Sequence, residues 1–346
     1  MLDILFMNHR DILHPQAGGA EVVLYEIGRR LAKKAKVTWF AESVRGRKSD
    51  ETIEHMRIKR RGNIYSVHFY SLIEARKHEI VIDNVAHAIP FFSYLVNKKA
   101  VALVHHVHQE VLMLELDPLR ASLVRNLEKK IKKYNNIIAV SNTTKRDLMK
   151  LGVCGERIHV IYNGIDHEKY KPGEKSEKPL ILWIGRMKKY KNPFDALRIY
   201  KRLKKKAEMV VAGGGELAED FAKAAARLSV KYLGRVSEEE KVKLYQKAWV
   251  VLSTSFVEGW GMTIVEANAC GTPVVAYARG AIPEIVKEGV NGFLVPYKDY
   301  DYAARVLDAI LEENIIKELS KSSFMESLKY DWNKTANEYL RYLSEF

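Results

Sequence analysis

Short apolar runs and amphipathic stretches alternate along this chain. In the first half, DILFMN (3–8), KVTWFA (36–41), EIVIDN (79–84), KAVALVHH (99–106), NIIAVS (136–141) and RIHVIYNG (157–164) are rich in Val and Ile and bounded by turn residues. Such runs predict strands. Helical segments lie between them; over residues 20–31, Val23, Leu24, Ile27 and Leu31 share one face. The rhythm breaks at HEKYKPGEKSEKP (167–179), which is polar, carries two prolines and has no apolar period; this predicts a linker. Alternation resumes with LILWIG (180–185), EMVVAG (208–213), VKYLG (230–234), WVVLST (249–254), PVVAY (273–277) and GFLVP (292–296). Near-continuous apolar strands separated by helices predict parallel sheets covered on both faces. The expectation is an α/β chain of two doubly wound domains, 1–166 and 180–329, with an amphipathic helix at about 330–346.

Composition narrows this picture. A length of 346 residues suits two domains. Two cysteines, Cys154 and Cys270, make no disulfide framework, which points to a reducing cytosol. The opening MLDILFMNHRD lacks the basic leader and cleavage site of a signal peptide, and no 18-residue uncharged apolar stretch occurs. The net charge of +14 calls for an anionic partner. Its densest runs, RIKRRG (57–62), EKKIKKY (128–134) and KRLKKK (201–206), read first as solvated faces.

Five loops and one short motif carry candidate chemistry. HPQAGGAE (14–21) follows the first strand, and Gly18 and Gly19 there suit close approach to a phosphate or sugar at a helix start, or a plain turn. In WIGRMKKYKN (183–192), Arg186 and Lys191 suit a diphosphate, or are surface charge. VVAGGGELA (210–218) matches the dinucleotide pattern through Gly213, Gly215 and Ala218, but no acidic residue stands at the expected distance: position 233 is Leu. It reads as a nucleotide-approach loop without NAD. FVEGWGMTIVEANAC (256–270) places Glu258 and Glu266 around a glycine turn. A glycosidase pair sits on separate elements, and two glutamates alone make a poor metal cage. As hydrogen-bond acceptors they suit sugar hydroxyls, one on a ribose and one on a hexose. Of His105, His106 and His108, one functional histidine is expected. DYD (299–301) reads as a helix cap rather than a metal motif.

Together these stretches resemble the retaining glycosyltransferases of family 4, with the GT-B fold: two doubly wound Rossmann-like domains facing across a cleft. The residues that carry the resemblance are GGAEVVLYEIGRRLAKKAKVT, AVSNTTKRDL, IHVIYNGID, GRMKKYKN, VVAGGGE, YLGRV, EGWGMTIVEANACGTPVVAYARGAIPEIV and EGVNGFLVP. The resemblance implies an N-terminal acceptor domain, a C-terminal donor domain and a final helix packing back on the first. It also implies roles: Arg186 and Lys191 on the donor diphosphate, Glu266 on the ribose, and Glu258 on the hexose with the amides of Gly259, Trp260, Gly261, Met262 and Thr263. Gly213, Gly234, Arg235 and Val236 would line the nucleotide, Gly18 and Gly19 the phosphate or acceptor, and His105 the sugar. AGGGE departs from the commoner Gly-Asp-Gly form of that loop.

The resemblance thus implies a hexosyltransferase that takes a UDP-, GDP- or ADP-linked sugar to a glycan, lipid-linked or small-molecule acceptor, without metal or other cofactor. A same-fold epimerase or hydrolase is the rival within the fold, and a basic nucleic-acid-binding protein the rival outside it. Only RIKRRGNIYSVHFY (57–70) interleaves aromatics with cations. It reads as a docking surface for an anionic membrane at the inner face of the cell, so no nucleic acid is expected.

Overall fold

A computed structural model describes residues 1–346. They form two compact units: Met1–Gly164 with Trp332–Phe346, and Ile165–Asp331. The first unit is built on β1 (Asp3–Met7), β2 (Lys36–Ala41), β3 (Asp50–Ile53), β4 (Met56–Arg60), β5 (Ile80–Val85), β6 (Ala100–Val104), β7 (Asn136–Ala139) and β8 (Ile158–Val160). They lie in the order β3-β4-β2-β1-β5-β6-β7-β8, parallel throughout except β3 on β4. Every residue of β5 and β6 is buried, as expected of strands covered on both faces.

The hairpin β3–β4 was not among the expected strands. Met56, Ile58 and Arg60 of β4 face inward while Arg57 faces out, so a period-two strand reads in sequence as a basic run. The helix Gly19–Leu31 buries Val23, Leu24, Ile27 and Leu31 as expected. It lies close to the sheet: a Cβ on Gly28 would come within 2.4 Å of the Met56 sulfur. The last helix, Trp332–Leu343, belongs to this unit; Arg30 Nε donates to Asn333 Oδ1 (3.0 Å) and Thr335 Oγ1 to the Tyr162 carbonyl (2.9 Å).

The second unit holds β9 (Leu180–Ile184), β10 (Glu208–Ala212), β11 (Lys231–Tyr232), β12 (Val250–Ser253), β13 (Val274–Tyr277) and β14 (Gly292–Val295). Their order is β11-β10-β9-β12-β13-β14, all parallel. Residues 167–179 are not a free linker but pack on this unit. Tyr170 is buried, Trp249 Nε1 donates to the Ser176 carbonyl (2.7 Å) and Lys175 Nζ to Thr272 Oγ1 (2.6 Å). Such a stretch needs no periodicity because single side chains, not a face, hold it down.

In each sheet the chain winds outward both ways from a central strand, β1 in the first and β9 in the second. Where the winding reverses, between β1 and β5 and between β9 and β12, the loops at the carboxyl ends diverge and leave a crevice for ligands. No helix is long and apolar enough to cross a membrane.

Candidate active site

In the second unit, four loops at the carboxyl ends of the sheet are stitched together. Gly185 N donates to the Ala212 carbonyl (3.1 Å), Met187 N to Gly214 (2.9 Å), Leu217 N to Met187 (3.1 Å) and Gly213 N to Gly234 (2.7 Å). This contact explains the glycines. Gly213 has φ +138° and a Cβ there would meet the Gly185 oxygen at 1.7 Å; at Gly215, φ +153°, it would meet the Met187 oxygen at 2.6 Å. The glycine pattern after β10 thus serves backbone packing against the loop after β9. Arg235 is exposed and folds its side chain over Gly214. Gly234 has open space around it, and Val236 is half-buried.

The loop after β9 is joined in turn to the loop after β12. The Thr254 hydroxyl accepts from Trp183 Nε1 (2.8 Å) and reaches the Lys191 and Asn192 carbonyls (2.9 Å each), while Phe256 N donates to Tyr190 (2.7 Å). This brings together two residues 67 positions apart in sequence: Lys191 Nζ forms an ion pair with Glu258 Oε1. Ser255 Oγ donates to the same oxygen (2.7 Å). Burial by itself draws the Lys191 pKa down; the Glu258 carboxylate outweighs it and holds the ammonium above its usual range. Arg186, near enough to act on that charge, is exposed.

Gly259 follows, half-buried, and Gly261, at φ +98°, caps the helix Met262–Ala269 in a left-handed conformation that favours glycine. Met262 and Thr263 form its first turn, half-buried. The Trp260 side chain turns away from this role: it is 4% exposed, and its ring packs edge-on against Tyr330 at 5.0 Å. The indole is therefore core, and only the main-chain amide named above remains with the loop, because a ring of that size gains more from burial than from a polar loop.

Glu266 sits in the second turn of that helix, 6% exposed. Oε1 accepts from Tyr170 OH (3.2 Å) and Lys241 Nζ (3.0 Å), and Oε2 from Tyr245 OH (2.9 Å). Lys241 also pairs with Glu238 (2.7 Å). Burial and the neighbouring Glu266 and Glu238 carboxylates push the Tyr170 hydroxyl far above its usual range. Sequence reasoning did not find Tyr170, Lys241, Tyr245 or Ser255. Only Ser255, three residues from Glu258, lay close enough in sequence to be weighed.

In the first unit, a chain of hydrogen bonds that ends on one carboxylate crosses the crevice between β1 and β5. The Gly18 amide donates to Glu21 Oε2 (2.7 Å), and Asn8 Nδ2 to Glu21 Oε1 (3.0 Å). Asn84 Nδ2 donates to Asn8 Oδ1 (3.1 Å), and His105 Nε2 to Asn84 Oδ1 (2.7 Å). Glu21 thus closes the start of the helix with its half of a capping box, since Gly18 has no side chain to answer it, and Gly19 beside it meets no neighbour. Burial, then the nearby His108, pulls the His105 pKa down to about 4, so its imidazole is neutral at pH 7. His108 is engaged elsewhere: its Nδ1 (2.9 Å) and its amide (2.7 Å) both meet the buried Glu128. The His106 ring lies 3.8 Å from that of His108. Of the three histidines, His105 is the one tied to the chain that reaches Gly18.

Asp299 is an N-cap, its Oδ1 accepting from Tyr302 N (2.9 Å), and Asp301 pairs with Arg202 (3.0 Å). The basic runs are partly neutralised: Arg57, Lys59 and Arg60 each hold a carboxylate, as do Arg202 and Lys205.

Residues 17–169 match the family Glycosyltransferase Family 4, and residues 165–323 the family Glycosyl transferases group 1. The chain is 29% identical over 209 residues to a D-inositol 3-phosphate glycosyltransferase of Mycobacterium marinum, a stretch covering 53% of this chain and 44% of that protein. It is 28% identical over 225 residues to an uncharacterized glycosyltransferase of Methanocaldococcus jannaschii, covering 58% of each. The matched stretches thus span about half the length of these relatives. Among solved structures, Anabaena HepE with UDP and glucose aligns over 100% of both chains with a TM-score of 0.78 and 21% identity. Sucrose-phosphate synthase of Thermosynechococcus elongatus covers 100% of this chain and 99% of its own, with a TM-score of 0.83 and 18% identity. The fold expected from the sequence, GT-B with two Rossmann-like α/β units, is the one found.

Proposed function

From a chain whose halves are a Glycosyltransferase Family 4 domain and a Glycosyl transferases group 1 domain, we propose an enzyme that moves a hexose from a nucleoside-diphosphate sugar to an acceptor hydroxyl with retention of configuration. The observation that carries this reading is the ion pair of Lys191 with Glu258, set at the reversal point of the second sheet and braced through Thr254. The grouping offers a cation to a diphosphate and a carboxylate to a sugar from two joined loops of one unit. A neighbour of the same fold holds UDP and glucose, which supports a UDP-linked donor ahead of GDP or ADP.

In this scheme Lys191 and Arg186 take the charge that develops on the diphosphate as the anomeric carbon–oxygen bond breaks. The acceptor oxygen bonds to that carbon, its proton leaves with the departing diphosphate, and no metal is assigned a part. A preorganised donor of this kind is worth about 3–4 kcal/mol of barrier. The main-chain amides from Gly259 to Thr263 add the field of a helix N-terminus. Glu258 holds the hexose. Glu266 holds the ribose: a carboxylate has about four acceptor positions, and Tyr170, Lys241 and Tyr245 occupy three. Gly213, Gly234, Arg235 and Val236 line the nucleotide, while His105, Gly18 and Gly19 meet the sugar or acceptor as neutral groups.

The acceptor is a glycan, a lipid-linked sugar or a small molecule. We place the enzyme in the cytoplasm, in peripheral contact with an anionic membrane through Ile64 (50% exposed), Tyr65 (86%) and Phe69 (64%). Thermal unfolding with UDP, GDP, ADP and their sugars tests the donor reading. Ligand at about 100 times its dissociation constant adds roughly 2.7 kcal/mol, and Arg186→Ala and Glu266→Ala should each remove most of that gain. A wild-type protein indifferent to every nucleotide sinks the reading.

A further inference from the structure

We propose that the first unit holds a phosphate subsite at the carboxyl ends of β2 and β4, which takes a phosphate group carried by the acceptor. That the phosphate belongs to an acceptor rests on the transfer reading above; that a phosphate binds there does not. A cavity of about 450 Å³ opens at this edge, lined by Ser43, Arg60, Arg61, Asn63, Ser66 and Tyr70. Two backbone bonds across the strand ends hold its wall: Ser43 N to the Gly62 carbonyl (2.9 Å) and Arg61 N to Ala41 (3.0 Å). Gly62, at φ +77°, lets the chain turn here; a Cβ would fall 2.6 Å from Ser66 Oγ.

Arg60 is the distinguishing feature. It is 1% exposed, yet only part of its fork is used. Nε donates to Asp11 Oδ2 (2.6 Å) and Nη1 to the Lys48 carbonyl (2.7 Å) and Glu51, while Nη2 has no partner. Buried polar groups are nearly always satisfied; Nη2 of this cavity-lining arginine is itself closed off from solvent, and we read it as a donor left for an acceptor that a small turn of the fork would meet. One phosphate oxygen can take that single donor, while Arg61 at the rim offers a whole guanidinium fork to the others.

Charge points the same way. Asp11 and Glu51 outnumber Arg60 by one carboxylate, and Asp50 and Glu74 are taken by Arg57 and Lys59. Arg61 is left with none of these carboxylates and stands exposed at the rim. Arg45, Arg47 and Lys48 in the preceding loop are exposed as well. The local excess is positive, and the cavity has room for more than the phosphate. Asp11 connects the site to the loop between β1 and Gly18, since its Oδ1 accepts from Leu13 N (2.8 Å). An anion on Arg60 is therefore one ion pair away from the loop assigned to the acceptor.

The test uses the whole chain without nucleotide. Inorganic phosphate and glycerol phosphate are titrated by calorimetry, and vesicles of phosphatidylglycerol or phosphatidylcholine are compared by flotation. Arg61→Gln, a surface change that leaves the fold alone, should weaken phosphate binding about tenfold or more. Arg60→Lys should do the same, and circular dichroism checks its fold; if it does not fold, Arg61→Gln alone decides. Binding of the small phosphates with this dependence assigns a soluble phosphorylated acceptor. Flotation on phosphatidylglycerol alone, lost in Arg61→Gln, assigns a lipid-borne phosphate. Absence of both, or phosphate binding untouched by Arg61→Gln and abolished by Arg186→Ala, overturns the subsite. If UDP shifts nothing while phosphate still binds in this way, the donor reading falls and the subsite stands.

Discussion

The two crevices use opposite chemistry on the same scaffold. Between β1 and β5, the groups that meet are amides and a neutral imidazole: Gly18 N, Asn8, Asn84 and His105, closed by the single carboxylate of Glu21. Between β9 and β12 they are ions: Lys191 with Glu258, and Glu266 ringed by Lys241 and two tyrosines. A diphosphate carries charge that must be met by charge held in place. An acceptor hydroxyl, under the transfer reading, asks for short contacts from neutral groups. The difference teaches that parallel strand ends provide a crevice, while the residues placed there decide what it can hold.

The sharpest way to break this comparison is Lys191→Ala. If the ionic crevice carries the transition state, kcat at saturating donor should fall about 10²–10³-fold; a change in KM alone would reassign Lys191 to ground-state binding.

Acid should separate the units. His9 and His105 are pulled down to about 4, chiefly by burial, from an unfolded value of 6.5. The unfolded chain then takes up those protons first, so stability falls as pH drops from about 6.5 to 4, by up to about 1.4 kcal/mol per pH unit for each histidine. Glu238, in the second unit, is opposed by burial but held down to about 2 by Lys241 and Lys169. Its contribution is complete above about 4.5 and is lost only as pH falls toward 2. Hydrogen exchange at pH 5 should therefore show the first unit losing protection before the second; simultaneous loss would refute the contrast.

A smaller effect tests Glu266. Glu266→Gln should raise the donor KM about tenfold, and a donor lacking ribose hydroxyls should not feel the change. The smallest concerns Asp299→Ala. Loss of a cap should lower stability by about 1 kcal/mol with activity intact, and activity should also survive a chelator. If either treatment abolishes turnover, DYD is a metal motif after all.

Much of this was legible beforehand. Val- and Ile-rich runs marked the strands buried on both faces, and the spacing of Glu258 and Glu266 around glycines marked the loop. What stayed hidden has a common cause. Met56 to Arg60 looked like a cationic run because a strand with one inward arginine hides its alternation. The burial of the Trp260 ring could not be read because nothing local tells which side of a loop an indole will cover. The glycines after β10 suggested a nucleotide, whereas their immediate cause is the backbone of the neighbouring loop.

Local order, then, was settled by the chain itself: periodicity selects strand or helix, and glycine and capping residues set where each begins, since these depend on neighbours a few positions away. The partnerships were settled by folding. Lys191 finds Glu258, Glu266 finds Tyr170 from 96 positions upstream, and Arg60 finds Asp11 across 49 positions. Hydrogen bonds and ion pairs act over a few ångströms, so only the packing of sheets and loops decides which distant side chains come within that reach.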